Sequence, residues 1–116
     1  DLYSPKVLRG SMGGVFRLPV WEVGPMAEVI QALEQGGIPC YACVVSPKAT
    51  SLLEVDLARG GVAVIGNEAN GLKPETIAAC GMQVTIPMAG RAESLNASMA
   101  AGIVMWEMTR AAAQNE

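Results

Sequence analysis

Apolar positions recur along this chain in two rhythms that alternate from segment to segment. In "GPMAEVIQALEQGG", Met26, Val29, Ile30 and Leu33 stand at helical spacing, Pro25 suits a first turn, and Gly36-Gly37 is a stop signal. "IPCYACVV" (38–45), "GVAVIG" (61–66) and "MQVTIPM" (82–88) are short apolar-rich runs that read as strands, with "GGVFRLPV" (13–20) a further strand candidate. "GVAVIG" lacks polar alternation, the pattern of a parallel strand covered on both faces. "SPKATSLLEVDLARG" (46–60) reads as a loop with one helical turn, and "KPETIAAC" (73–80) as a short helix opened by Pro74. "ESLNASMAAGIVMWEMTRAAA" (93–113) reads as a long helix. Strands alternating with helices predict an α/β fold, a mainly parallel sheet flanked by helices, in one domain over 1–116.

The long helix is apolar nearly all round. With Ser94 as its cap, Leu95, Met99, Ile103 and Trp106 form the expected core stripe, while Met105 and Met108 extend onto a second face. A single sheet covers only about a third of a helix's circumference. A second subunit is the natural cover for the rest, helped by the small residues Ala97, Ser98, Ala100, Ala101 and Gly102.

Composition narrows the class. Of 116 residues, 51% are hydrophobic, enough for a real core, yet no apolar run reaches the roughly 18 residues of a membrane span. With no charged-then-apolar leader, a soluble cytoplasmic domain is expected. The chain opens at Asp1, and "DLYSPKVLRGSMGG" reads like the interior of a loop, so a piece of a longer protein is expected. Net charge is −3 and the eight Lys and Arg are scattered, so a nucleic-acid substrate would be gripped mostly from elsewhere. There is no histidine, and "CYAC" has redox spacing. On a strand, however, residues three apart point to opposite faces, so Cys40 and Cys43 are expected as buried free thiols. Adding Cys80 still leaves fewer than the four ligands of a zinc site.

Two polar segments follow strands, where parallel sheets bind ligands. "GNEANG" (66–71) brings Asn67, Glu68 and Asn70 to the end of an apolar run. Alone, it reads equally well as an ordinary turn with an exposed Glu. It is not a phosphate loop: both glycines are correctly spaced, but Lys73 comes one place late and Pro74 replaces the hydroxyl residue. In "PMAGRAESLN" (87–96), Ser94 either caps the helix or faces a ligand, and Asn96 stands in the first turn, where propensity gives it no advantage. A third segment, "SPKVLRGSMGG" (4–14), carries Arg9 and Ser11.

Together the three segments resemble the SpoU family of RNA ribose 2′-O-methyltransferases, within the SPOUT superfamily. Gly66-Asn67-Glu68-Ala69-Asn70-Gly71-Leu72 is similar to the family's G-N-E-x-x-G-L motif. Ile86-Pro87-Met88 through Glu93-Ser94-Leu95-Asn96-Ala97-Ser98 is similar to its I-P-M-x-G-x-x-E-S-L-N-x-S motif, and "SPKVLRGSMGGVF" to its P-K-x-x-R-x-S-x-G-x-x-F segment. The resemblance implies a SPOUT-type fold with a C-terminal trefoil knot that binds S-adenosylmethionine. The cofactor-binding positions would be Val45, Gly66, Ile86, Met88 and Leu95. Glu68, Ser94 and Asn96 would serve catalysis by orienting a ribose 2′-hydroxyl and relaying its proton, with Asn67 and Arg9 on the substrate side.

The resemblance also implies RNA as partner, ribosomal or transfer, and a homodimer through the C-terminal helix, with no metal and no membrane. The family's first motif, an Asn and a catalytic Arg on an earlier strand and helix, has no counterpart here. The N-terminal strand and helix of the domain are therefore expected to be missing and the fragment inactive alone. The alternative is a non-catalytic S-adenosylmethionine-binding or dimerisation module of the same fold.

Overall fold

The computed structural model describes residues 18–67, 70–87 and 97–114. Helix α1 (Met26–Gln35) leads to strand β1 (Cys40–Cys43). A two-residue strand, β2 (Thr50–Ser51), runs into a 3-10 turn at Leu52–Glu54. Then come β3 (Val62–Ile65), α2 (Pro74–Ala79), β4 (Met82–Thr85) and the long α3 (Ala97–Gln114). Among the described residues, no helix is long and apolar enough to cross a membrane.

Local chemistry explains these limits. Pro25 caps α1, its carbonyl accepting from the N–H groups of Glu28 and Val29. At the other end Gly37 turns left-handed (φ 86°). Its N–H donates to Glu34 O and that of Ile38 to Leu33 O, a Schellman ending. Pro39 has no N–H for the sheet, so β1 begins after it; Pro87, beyond β4, is barred in the same way.

The strands lie in the order β2-β4-β1-β3, every pair parallel. The last strand thus lies between two that precede it in the chain. On one face, Cys40 and Val64 pack with Ile30 of α1, joined by Leu33, Leu72, Ala79 and Cys80. On the other, Tyr41 and Val84 pack with Leu52, Leu57 and Val104 of α3. The sheet is therefore a middle layer, with α1 and α2 on one side and α3 on the other. Cys40 and Cys43 fall on opposite faces, and all three cysteines are free.

Four expectations meet a different outcome. The strand over 13–20 lies largely outside the described residues; its described end, Leu18–Val20, is exposed and forms no strand. The loop over 46–60 holds β2, too short at two residues to show alternation. Of "VAVI" in β3, only Val64 is buried, because β3 is the sheet edge among the described residues. In α3 the core stripe is rotated. Val104 is fully buried with Ile103, Met108 and Ala111 beside it, while Met99 and Trp106 are 53% and 65% exposed. Trp106 stands two residues, or about 200°, round the helix from Val104, so the two cannot both face the sheet.

One carboxylate ties three elements together. Glu34 Oε2 accepts the N–H of Cys40 at 2.9 Å and that of Gly81 at 2.6 Å, joining the last turn of α1 to the starts of β1 and β4. An anion at a helix C-terminus is unfavourable to the helix itself, so this glutamate works for the sheet. Glu34→Ala leaves both amides without that acceptor and is expected to cost about 1–3 kcal/mol. Glu34→Gln, which keeps an oxygen, should cost less. Urea unfolding checks this; equal midpoints for wild type and Glu34→Ala would contradict it.

Candidate functional site

Parallel register brings three strand ends to one level. Cys43 stands opposite Ile65 of β3 on one side and Val84 of β4 on the other. Two residues past these last paired positions, Val45, Asn67 and Ile86 leave the same end of the sheet. The N–H of Val44 donates to Val84 O at 2.9 Å, continuing the β1–β4 ladder towards that level. Strands lie about 4.8 Å apart, so the three positions span roughly 10 Å. Val45 is the middle one and is 71% exposed, an apolar side chain at the end of a central strand with little protein over it. Ile86 is half-buried and packs on the α3-side core.

The loop after β3 is closed at its base. The carbonyl of Asn67 accepts the N–H of Gly71 at 2.9 Å, and the two residues form an isolated antiparallel bridge. The side-chain Oδ1 of Asn67 accepts the N–H of Asn70 at 2.7 Å. Gly71 is left-handed (φ 65°), the conformation that an Asn-Gly pair favours. Gly66 lies directly beneath: a Cβ there would stand 2.4 Å from Gly71 C and 2.6 Å from Leu72 N. Glycine at 66 is therefore demanded by the loop's own backbone. The resemblance gives it a cofactor role but not this one. The Asn70-Gly71 turn signal was present in the sequence and announced the closure.

Of the positions expected to carry function, the structure brings Val45, Gly66, Asn67 and Ile86 to one end of the sheet. Glu68, Met88, Ser94, Leu95, Asn96 and Arg9 lie outside the described residues. The thiols are not poised for chemistry: burial pushes Cys43 and Cys80 up to about 11 and also raises Cys40, where the Glu34 carboxylate adds to it. An open groove of about 670 Å³ runs elsewhere, along α1, the edge of β3 and α2. It reaches Gly66 and Asn67, but Val45 and Ile86 are not among its walls.

Comparison with known proteins fits this arrangement. The model of the SpoU rRNA methylase family matches residues 1–106. The chain belongs to the SpoU rRNA methylase family. Among SpoU relatives, the 23S rRNA (guanosine-2′-O-)-methyltransferase RlmB of Xylella fastidiosa is 40% identical over 105 residues, 90% of this chain and 41% of that protein. The tRNA (guanosine(18)-2′-O)-methyltransferase of Aquifex aeolicus is 32% identical over 104 residues, 90% of this chain and 48% of its own length. The crystal structure of the SpoU methyltransferase AviRb from Streptomyces viridochromogenes, in complex with AdoMet, superposes with a TM-score of 0.83 at 33% identity. That match covers 95% of this chain and 45% of AviRb. The chain thus spans less than half the length of each of these relatives.

The loop closure is open to a direct test. At Gly66 a Cβ meets backbone, which cannot step aside, whereas at Gly71 it meets nothing within 4 Å. Gly66→Ala should therefore cost about 2 kcal/mol or more, and Gly71→Ala only the left-handed strain of about 1–2 kcal/mol. Thermal unfolding of both variants checks the order; a harmless Gly66→Ala would contradict the closed loop.

Proposed function

We propose that this chain is the cofactor-binding part of an S-adenosylmethionine-dependent RNA ribose 2′-O-methyltransferase. The observation that carries the reading is the juxtaposition of Val45, Gly66-Asn67 and Ile86 at one sheet end, in a family whose relatives bear that activity in their names. The residues present fit the cofactor: the exposed Val45 and half-buried Ile86 offer apolar surface to an adenine ring, and the closed loop at Gly66 offers a fixed backbone edge. Met88 and Leu95 complete the proposed binding set.

When bound, the cofactor supplies a sulfonium methyl carbon: the bond from ribose O2′ to that carbon forms as the carbon–sulfur bond breaks, leaving S-adenosylhomocysteine. The chain's own work is orientation and proton handling. Glu68 follows Asn67 directly and accepts the 2′-hydroxyl proton, itself or through a water. Ser94 and Asn96 hold the ribose and its phosphate by hydrogen bonds, and Arg9 meets a phosphate. The partner RNA is ribosomal or transfer RNA, in the cytoplasm.

Two finer features belong to the same proposal. The family's C-terminal trefoil knot is consistent with β4 lying between β1 and β2. A homodimer through α3 is favoured by Met99, Met105 and Trp106, which are 53%, 58% and 65% exposed on a helix whose opposite face is buried. Sedimentation reads the dimer directly: Trp106→Glu should yield a monomer, since a carboxylate buried in that interface is costly.

The activity is tested by incubating the intact protein with methyl-labelled S-adenosylmethionine and ribosomal or transfer RNA, then digesting to nucleosides. Label is expected on a ribose 2′-oxygen. Glu68→Gln and Asn96→Ala should each lower kcat by on the order of 100-fold. Label on a base, or none on either RNA, would contradict the reading.

A further inference from the structure

We infer that Asn67 is a positioning residue, whose side-chain oxygen locks the loop base formed by Gly66, Asn67, Asn70 and Gly71 in the arrangement that the site at the sheet end uses. The inference rests on the methyltransferase reading above and assigns Asn67 a role other than substrate contact. Three constraints close the loop base. The Asn67 carbonyl accepts the Gly71 N–H, and Gly66 fits beneath Gly71 and Leu72 only without a Cβ. Those two are backbone features. The third is the bond from the Asn70 N–H to Asn67 Oδ1, at 2.7 Å, and it alone among them depends on which side chain stands at 67.

That bond has leverage because of where it lies. Asn67, Asn70 and Gly71 are all exposed, so little apolar packing holds this stretch, and such segments open easily. Asn67 also follows β3 at the end of the sheet where Val45 and Ile86 follow β1 and β4, and Glu68 is next in the sequence. A shift of the loop base therefore displaces the proposed cofactor edge at Gly66. A misplacement of about 1 Å can cost on the order of 100-fold in rate.

Substrate contact and loop locking call for different chemistry at 67. A contact to RNA would use the amide's N–H donors. The bond from the Asn70 N–H is made to the oxygen, which aspartate also offers with the same side-chain length. Asn67→Asp keeps the lock, removes both donors and adds a charge that opposes phosphate. Asn67→Ala removes everything.

The test uses the intact protein as wild type, Asn67→Asp and Asn67→Ala, with methyl-transfer kinetics on RNA and amide hydrogen exchange at Asn70 and Gly71. Expected for Asn67→Ala are exchange at Asn70 faster by roughly 2- to 12-fold and kcat lower by about tenfold or more. Its KM for RNA should stay within about twofold, since no substrate contact is lost. Asn67→Asp should stay within about threefold of wild type in kcat and keep the slow exchange. The inference is overturned if Asn67→Asp is as impaired as Asn67→Ala, or if Asn67→Ala turns over RNA normally while its loop exchanges faster. A wild-type protein that methylates no RNA overturns the methyltransferase reading and this role with it; the other two outcomes overturn the role alone.

Discussion

The arrangement depends above all on the parallel pairing of β1 with both β3 and β4 in one register. Because Cys43 is opposite Ile65 and Val84 at once, whatever follows each strand emerges at the same edge of the sheet. A slip of one residue in either pairing would turn every side chain of that strand to the other face. The two cores forbid this. Cys40 and Val64 belong with Ile30, and Tyr41 and Val84 belong with Val104. Glu34 reinforces the register from the opposite end by holding the first amide of β1 and the amide just before β4. The Glu34 tie at one end of the sheet and the proposed cofactor site at the other thus depend on a single alignment.

Much of this was legible in the sequence because local signals and burial agreed. Pro25 and Gly37 mark the ends of α1, each for a reason that acts within a few residues, whereas Pro39 and Pro87, read inside the strands over 38–45 and 82–88, lie outside β1 and β4. The parity of Cys40 and Cys43 followed from strand geometry alone. What escaped was set by the third dimension. Thr50-Ser51 is a strand only because β4 lies beside it. The face that α3 turns to the sheet could not be chosen from a helix with apolar residues all round, and Val104 rather than Trp106 fills the core. At the site, the motif residues were visible as a pattern, but their division of labour was not. Gly66 and Asn67 look like ligand residues in the sequence, and the structure gives both of them work inside their own loop.

Charge and exposure fit a division of tasks between this chain and what surrounds it. A net charge of −3 gives no electrostatic reason for RNA to bind here first. An exposed apolar residue at a strand end, a loop closed at its base by its own backbone and uncharged thiols suit a compact, partly apolar ligand instead. On the proposed reading the sheet end would hold the cofactor, and RNA would be gripped largely by surfaces other than this one.

The central claim, that the cofactor sits at the ends of β1, β3 and β4, is tested most directly by nuclear magnetic resonance. Backbone amides are followed during titration of the intact protein with S-adenosylhomocysteine. The account predicts the largest shifts at Val45, Gly66 and Ile86, with Val29, Leu33 and Thr76 in the groove between α1 and α2 little moved. Shifts concentrated in that groove, or no saturable shifts at the sheet end, would contradict it.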